Sequence, residues 1–213
     1  MIHHNHEQGS EAWLAARKGC ITGSRFKDCR EKLAKGGPSK NCLAYAMDTA
    51  RERVGGRAPA KFQNAAMRSG TEQEPLARLA YERRTGNLVD EVGFFTTEDG
   101  LYGLSPDGLI DDDGVLEIKT MVSSDTLFTA VAEGDVSAYL DQCLGYLWLL
   151  GRQWVDLVLW VPDLNHMVIK RITRDEDAIE ALEADLLAFA RLVKGYEDTL
   201  RAALAGHPET EAA

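Results

Sequence analysis

The stretch Gly103–Thr120, GLSPDGLIDDDGVLEIKT, constrains this chain more than any other. Apolar residues alternate with polar ones on both sides of an Asp/Gly-rich middle, which predicts a β-hairpin. One arm runs over Leu104–Ile110, the turn over Asp111–Gly114, and the other arm over Val115–Met121. Side chains alternate faces along a strand, so residues two apart share a face about 6–7 Å apart. Glu117 and Lys119 then stand on one face, with Leu116 and Ile118 on the opposite, core-facing side. Pro106 cannot donate to a strand ladder and interrupts the first arm just before Asp107. A twisted hairpin brings Asp107 beside Glu117 and gathers two carboxylates and an ammonium at a sheet edge.

Carboxylates that close repel, and both stay ionised only with a cation between them. Mg²⁺ takes oxygen ligands at about 2.0–2.1 Å and keeps several waters, so it suits the position. Lys119 is placed to orient or deprotonate such a water, or to stabilise charge building up on phosphorus. A bare Glu-x-Lys is ordinarily an exposed hairpin with a wet face. Ser105-Pro106-Asp107-Gly108, ten residues before the Glu, favours a site instead. Asp111-Asp112-Asp113-Gly114 fails as a calcium loop, because Thr120 stands where the closing Glu is required.

The 213 residues suit one domain with a sizeable core, and no apolar run is long enough to span a membrane. The first residues lack the basic start and apolar centre of a signal peptide. Cys20, Cys29, Cys42 and Cys143 have no CxxC spacing, which points to reduced thiols in a cytoplasm and away from zinc or iron–sulfur sites. The net charge is −10, but Met1–Lys61 holds 12 Lys+Arg against 6 Asp+Glu. A basic N-terminal third can hold a phosphate backbone while the acidic remainder repels it; a solvated basic face with no ligand fits the composition equally well.

Ser10 caps a short helix to Arg17, with Trp13 and Leu14 packed inward. Thr22-Gly23-Ser24 opens a second helix, Arg25–Leu33, and its N–H groups, the Ser24 hydroxyl and Arg17 make an anion site or a plain cap. Lys35–Asn41 reads as a loop and Leu43–Val54 as a helix. Arg51, Arg53, Arg57 and Pro59 mark a mobile segment, or featureless surface. Glu72–Thr85 is a helix ended by Gly86, with Leu76, Leu79 and Ala80 at helical spacing and Glu74 in its first turn, where the dipole favours acids anyway. Leu88–Thr96 is a strand, and Ser123–Ala132 is helical up to Gly134. Val136–Leu150 is a buried helix with Gln142 and Tyr146 on one face. Trp154–Val161 is a continuous apolar central strand, followed by an antiparallel Met167–Ile172. His166 reads as a turn residue. His3, His4 and His6 sit at a loose terminus and are discounted. Asp175–Leu204 is a long amphipathic helix, with a bend at Gly195 possible, and the tail from Ala205 is disordered by composition.

Ser105-Pro106-Asp107-Gly108 followed by Glu117-Ile118-Lys119 resembles the PD-(D/E)xK nuclease signature. With Trp13…Arg17…Ile21-Thr22-Gly23-Ser24, Gly70-Thr71-Glu72-Gln73-Glu74 and Gln142-x-x-x-Tyr146, the chain resembles the λ-exonuclease branch, the YqaJ-like viral recombinases, over roughly Trp13–Val193. The resemblance implies an α/β fold with a central mixed sheet of about five strands flanked by helices, a restriction-endonuclease-like core. It implies one nuclease domain, with a basic helical part at 10–60 and a catalytic core at 69–193.

The activity it implies is Mg²⁺-dependent exonuclease action on double-stranded DNA from the 5′ end. Products would be 5′-mononucleotides and a 3′ overhang for a single-strand annealing protein. Asp107, Glu117, Glu74 and the Ile118 carbonyl would hold two Mg²⁺ ions, with Mn²⁺ able to substitute; Glu72 is the alternative to Glu74. Lys119 would activate water that Gln142 positions, with Tyr146 beside it. Arg17, Ser24 and Ser105 would hold the 5′-phosphate. The resemblance also implies a homotrimeric ring around DNA and a cytoplasmic setting in a bacterial or phage-infected cell. Two other readings stand beside this one. One is a structure-specific or restriction-type endonuclease on the same core. The other is a catalytically idle DNA-binding scaffold, which the presence of Glu74, Asp107, Glu117 and Lys119 disfavours.

Overall fold

Pro106 and Asp107 divide the chain's strands between two four-stranded sheets. The computed structural model describes residues 1–57 and 65–206. The first sheet holds β1 (Ile2–His4), β2 (Ile21–Thr22), β3 (Phe94–Thr96) and β4 (Tyr102–Leu104), in the order β1-β3-β4-β2. The second holds β5 (Gly108–Ile110), β6 (Gly114–Thr120), β7 (Trp154–Val161) and β8 (His166–Thr173), in sequence order. Both are mixed: β2 runs parallel to β4 and β6 parallel to β7, and the other pairings are antiparallel. The α/β fold with mixed sheets flanked by helices is as expected, but in place of one central sheet of about five strands the described residues form eight strands in two sheets. The first hairpin arm shrinks to Gly108–Ile110, because Tyr102–Leu104 pairs with β3 and β2 instead.

The helices are α1 (Glu11–Arg17), α2 (Phe26–Arg30), α3 (Lys40–Arg53), α4 (Ala65–Thr85), α5 (Ser124–Leu127), α6 (Ser137–Leu149) and α7 (Glu176–Ala205). Ser10, Ser39, Ser123 and Asp175 cap α1, α3, α5 and α7 by accepting backbone N–H groups. A π-type turn, Phe128–Ala132, continues α5, and Gly134 follows at φ +75°. No described helix is long and apolar enough to cross a membrane. All four cysteines are free and buried.

The core lies on both faces of β6 and β7. Val115, Leu157 and Leu159 join a large cluster with residues of α2, α3, α6 and α7. Leu116, Ile118, Val158 and Trp160 join a second cluster with Ala77 and Tyr81 of α4. The unbroken apolar run of β7 follows from burial on two sides. Its one acid, Asp156, is satisfied by the Tyr81 hydroxyl at 2.6 Å and by Arg171 at 2.7 and 2.8 Å.

Several expectations are corrected. Only Phe94–Thr96 of the 88–96 strand forms, with Asp90 bridging to Leu109. The second N-terminal helix ends at Arg30, where the chain turns toward a bridge between Lys32 and Pro38. Leu14 is 55% exposed, and so is Leu76; the buried stripe of α4 is Ala77, Arg78 and Tyr81, one residue off the expected one. Because α4 begins at Ala65, Glu74 lies well inside the helix and owes nothing to its N-terminal dipole. The N-terminus is not loose. Its β1 pairs with β3, His4 bonds Thr96 Oγ1 at 2.9 Å, and His3 stacks on Phe95. Arg51 and Arg53 belong to α3, and Arg53 Nε donates to the Gly19 carbonyl at 2.8 Å. Pro59 and the tail beyond residue 206 lie outside the described residues.

Gly145 lets α6 approach α2 closely: a Cβ there would meet Phe26 ring carbons at 2.5 and 2.8 Å. A mid-helix Gly-to-Ala change normally gains up to about 1 kcal/mol. Here overpacking, typically about 1–3 kcal/mol, outweighs that gain. Gly145→Ala is therefore expected to lower the melting temperature by a few degrees in a thermal scan.

Candidate active site

Parallel pairing builds the site. Thr22 lies opposite Gly103 in the β2–β4 register. Parallel strands leave a sheet in the same direction, so Gly23-Ser24 and Leu104-Ser105 emerge side by side. The chain then enters β5 through Pro106-Asp107. Asp107 Oδ2 accepts the Ile118 N–H at 2.6 Å, which fixes the acid against β6.

Glu117 is 2% exposed, although an exposed hairpin face is the ordinary place for a Glu-x-Lys. It points at α6, whose residues answer its charge. Glu117 Oε1 accepts from Lys119 Nζ at 2.6 Å and from Gln142 Nε2 at 2.8 Å. Oε2 accepts from the Tyr146 hydroxyl at 2.6 Å. Gln142 also donates to the Tyr146 oxygen at 2.7 Å and accepts from Lys119 at 3.0 Å, so every polar atom of its amide is engaged. The Ser105 carbonyl lies 3.2 Å from the Tyr146 hydroxyl. The ring of Tyr139 stands 5.6 Å from Lys119 Nζ.

Charge is strained here. Burial pushes the Asp107 carboxyl well above the usual range, and Glu117 and Glu74 add to the push. Burial works against the Lys119 ammonium, yet the carboxylates of Glu117 and Asp107 outweigh it and raise its pKa. Burial raises Glu74 too, against the pull of Arg78. Tyr146 is held neutral by burial and by the same two acids.

Lys119, Glu117, Asp107, Gln142, Tyr146 and Ile118 therefore come together, as the sequence suggests. Glu74 faces them electrostatically but is held by Arg78 at 2.7 Å, and Arg78 in turn meets Glu91 at 2.5 Å. Glu72 is exposed. Among the described residues no three His, Cys, Asp or Glu side chains form a ready metal cluster; Lys119 engages Glu117 and Arg78 engages Glu74. The donor chemistry still fits a hard divalent cation. It consists of carboxylate oxygens and a backbone carbonyl, set in a field that penalises their unneutralised charge.

Arg17 and Ser24 also meet. Arg17 Nη2 donates to Thr22 Oγ1 at 3.3 Å and to Ser24 Oγ at 3.4 Å, and its guanidinium lies 4.9 Å from the Trp13 ring centre. The Ser105 hydroxyl makes no hydrogen bond among the described residues; proximity to Ser24 comes from the strand register. Four neighbours escaped the sequence reading: Tyr45, Arg25, Arg78 and Tyr139. Arg78 was legible as the residue four after Glu74. Tyr45 carried no local signal, because its partner Thr22 is distant in sequence; its hydroxyl accepts the Thr22 N–H at 2.9 Å.

The fold and sequence resemble those of known nucleases. The model of the YqaJ-like viral recombinase domain matches residues 12–153. The crystal structure of an alkaline exonuclease (LHK-Exo) from Laribacter hongkongensis superposes with a TM-score of 0.80 at 33% identity, covering 92% of this chain and 99% of that one. The same enzyme in complex with dAMP gives a TM-score of 0.79 at 33% identity, with the same coverage of 92% and 99%. A phage-related exonuclease from Haemophilus somnus 129PT shares the fold at 16% identity and a TM-score of 0.66, covering 87% of this chain and 96% of that one. No curated protein gives a match. Fold and relatives together define a nuclease. More narrowly, the chain belongs to the YqaJ-like viral recombinase family.

The charge strain has a measurable consequence. A carboxyl whose folded pKa lies above its unfolded value of about 3.9 favours the fold below that pH and costs stability as pH rises through the folded pKa. In EDTA, Asp107→Asn should raise the melting temperature at pH 8, by about 2–4 °C for each kcal/mol relieved. Near pH 4 the difference should vanish.

Proposed function

We propose that this protein is a divalent-metal-dependent exonuclease that digests one strand of double-stranded DNA from its 5′ end. It releases 5′-mononucleotides and leaves a 3′ overhang for a single-strand annealing protein. One observation supports the reading: Asp107, Glu117, Lys119 and Gln142 converge, and the strand register sets the Arg17–Ser24 pair at the strand end next to Ser105, whose carbonyl meets Tyr146 of that cluster. The dAMP bound by the Laribacter enzyme supports a mononucleotide product.

In this reading Asp107, Glu117 and the Ile118 carbonyl hold the ions, two Mg²⁺ with Mn²⁺ able to replace them, and Glu74 completes the set. When bound, such ions would supply Lewis acidity for the scissile phosphate and an attacking water. Lys119, held against Glu117, would orient that water and exchange a proton with it. Gln142, locked by three partners, holds Lys119 and Glu117 in register. Arg17 and Ser24 take the terminal phosphate, with Ser105 facing it from the neighbouring strand. A trimeric ring around the duplex, in the cytoplasm of a bacterial or phage-infected cell, belongs to the same reading.

Lys119→Ala should reduce strand digestion about 10²–10⁴-fold while duplex binding in Ca²⁺ persists; near-normal digestion would remove Lys119 from the chemistry. Arg17→Ala should abolish the preference for 5′-phosphorylated over 5′-hydroxyl ends, read from initial rates on the two substrates. The decisive assay uses end-labelled linear duplex and a supercoiled circle, with Mg²⁺ or EDTA. Digestion of the linear DNA alone, and only with Mg²⁺, is the expected result. Cutting of the circle would make the enzyme an endonuclease.

A further inference from the structure

Arg17 meets Thr22 directly, and Arg25 meets it through Tyr45. The Thr22 hydroxyl accepts from Arg17 at 3.3 Å, while the Thr22 N–H donates to the Tyr45 hydroxyl at 2.9 Å. On the Tyr45 ring lies the Arg25 guanidinium, 3.8 Å from the ring centre. The ring is itself buried and backed by Phe189 at 5.2 Å. Asp28 engages Arg25 only through Nε, at 2.6 Å. The two terminal nitrogens of Arg25 find no acceptor among the described residues, although the side chain is only 21% exposed. Arg17, Arg25, Thr22 and Tyr45 line a single groove of about 840 Å³. A guanidinium stacked on an aromatic ring, with one edge tied and the other open, is pre-organised for bidentate contact with a phosphate.

We infer that Arg25 binds an internal phosphodiester of the strand being digested, next to the terminal phosphate assigned to Arg17. The inference rests on the exonuclease reading and adds a second anion position to it. Both guanidinium groups line one groove, and with Arg17 assigned to the terminal phosphate the open edge of Arg25 is left for a further phosphate of the same strand. Backbone phosphates carry no base identity, so Arg25 contributes affinity and register independent of DNA sequence.

The test measures binding of blunt duplex in Ca²⁺, without turnover, across a KCl series. Arg25→Gln should weaken the dissociation constant about tenfold. It should lower the slope of log affinity against log salt by about 0.7–0.9, one phosphate contact. The 5′-phosphate preference in Mg²⁺ should stay that of the wild type, since Arg17 is intact. Arg25→Lys, which keeps the charge and the stem on Tyr45, should keep the slope and lose part of the affinity. That variant carries the test if Arg25→Gln fails to fold by circular dichroism. Wild-type affinity and slope in the folded variants would overturn the inference. Loss of the 5′-phosphate preference would also overturn it, by moving Arg25 to the terminal phosphate. A wild type that binds duplex but does not digest it would sink the exonuclease reading, while the Arg25 contact would still be read from binding.

Discussion

The burial of one carboxylate organises this molecule. Glu117 sits in the middle of a strand covered on both faces, where an isolated charge would be very costly. Its cost is met by three donors from two elements: Lys119 on the same strand, and Gln142 and Tyr146 one helical turn apart on α6. The packing of α6 is therefore fixed by polar geometry as well as by apolar contact. Gly145, on the same helix, removes the side chain that would hold α6 away from α2. A half-satisfied network at this depth would be worse than an apolar core, which is why each polar atom of Gln142 is used.

The break at Pro106 has the second largest consequence. A continuous hairpin arm would carry Asp107 along a ladder and spend its neighbours on strand pairing. The interruption lets Tyr102–Leu104 join the first sheet and Gly108–Ile110 the second. Asp107 is left at the seam, free to accept the Ile118 N–H. The seam also places Ser24 and Ser105 at adjacent strand ends, because β2 and β4 run parallel. The Arg17–Ser24 pair and the acid cluster thus share a border through backbone topology, joined where the Tyr146 hydroxyl meets the Ser105 carbonyl.

Much of the site was legible in the sequence. Period-two alternation located Glu117 and Lys119, helical spacing paired Gln142 with Tyr146, and a Ser cap marked the start of α1. The resemblance to a nuclease family picked out Arg17 and Ser24, which the structure does place together. Errors came where tertiary contact overrides a local rule. Leu14 and Leu76 fit apolar periodicity yet lie on the surface, because periodicity sets the spacing of a stripe and not which neighbour covers it. Residues 88–93 read as strand but lack a partner along most of their length, and a strand exists only when paired.

The acid–lysine spacing on β6, the polar pair on α6 and the Ser10 cap of α1 were set by the sequence alone, since each depends on neighbours a few positions away. Three things were decided only in three dimensions. They are the depth at which Glu117 is buried, the pairing of Arg78 with the distant Glu91, and the Tyr45 platform that carries Arg25 and holds Thr22. The reason is physical: desolvation and charge coupling depend on how many elements close over a group, and those elements lie far apart along the chain.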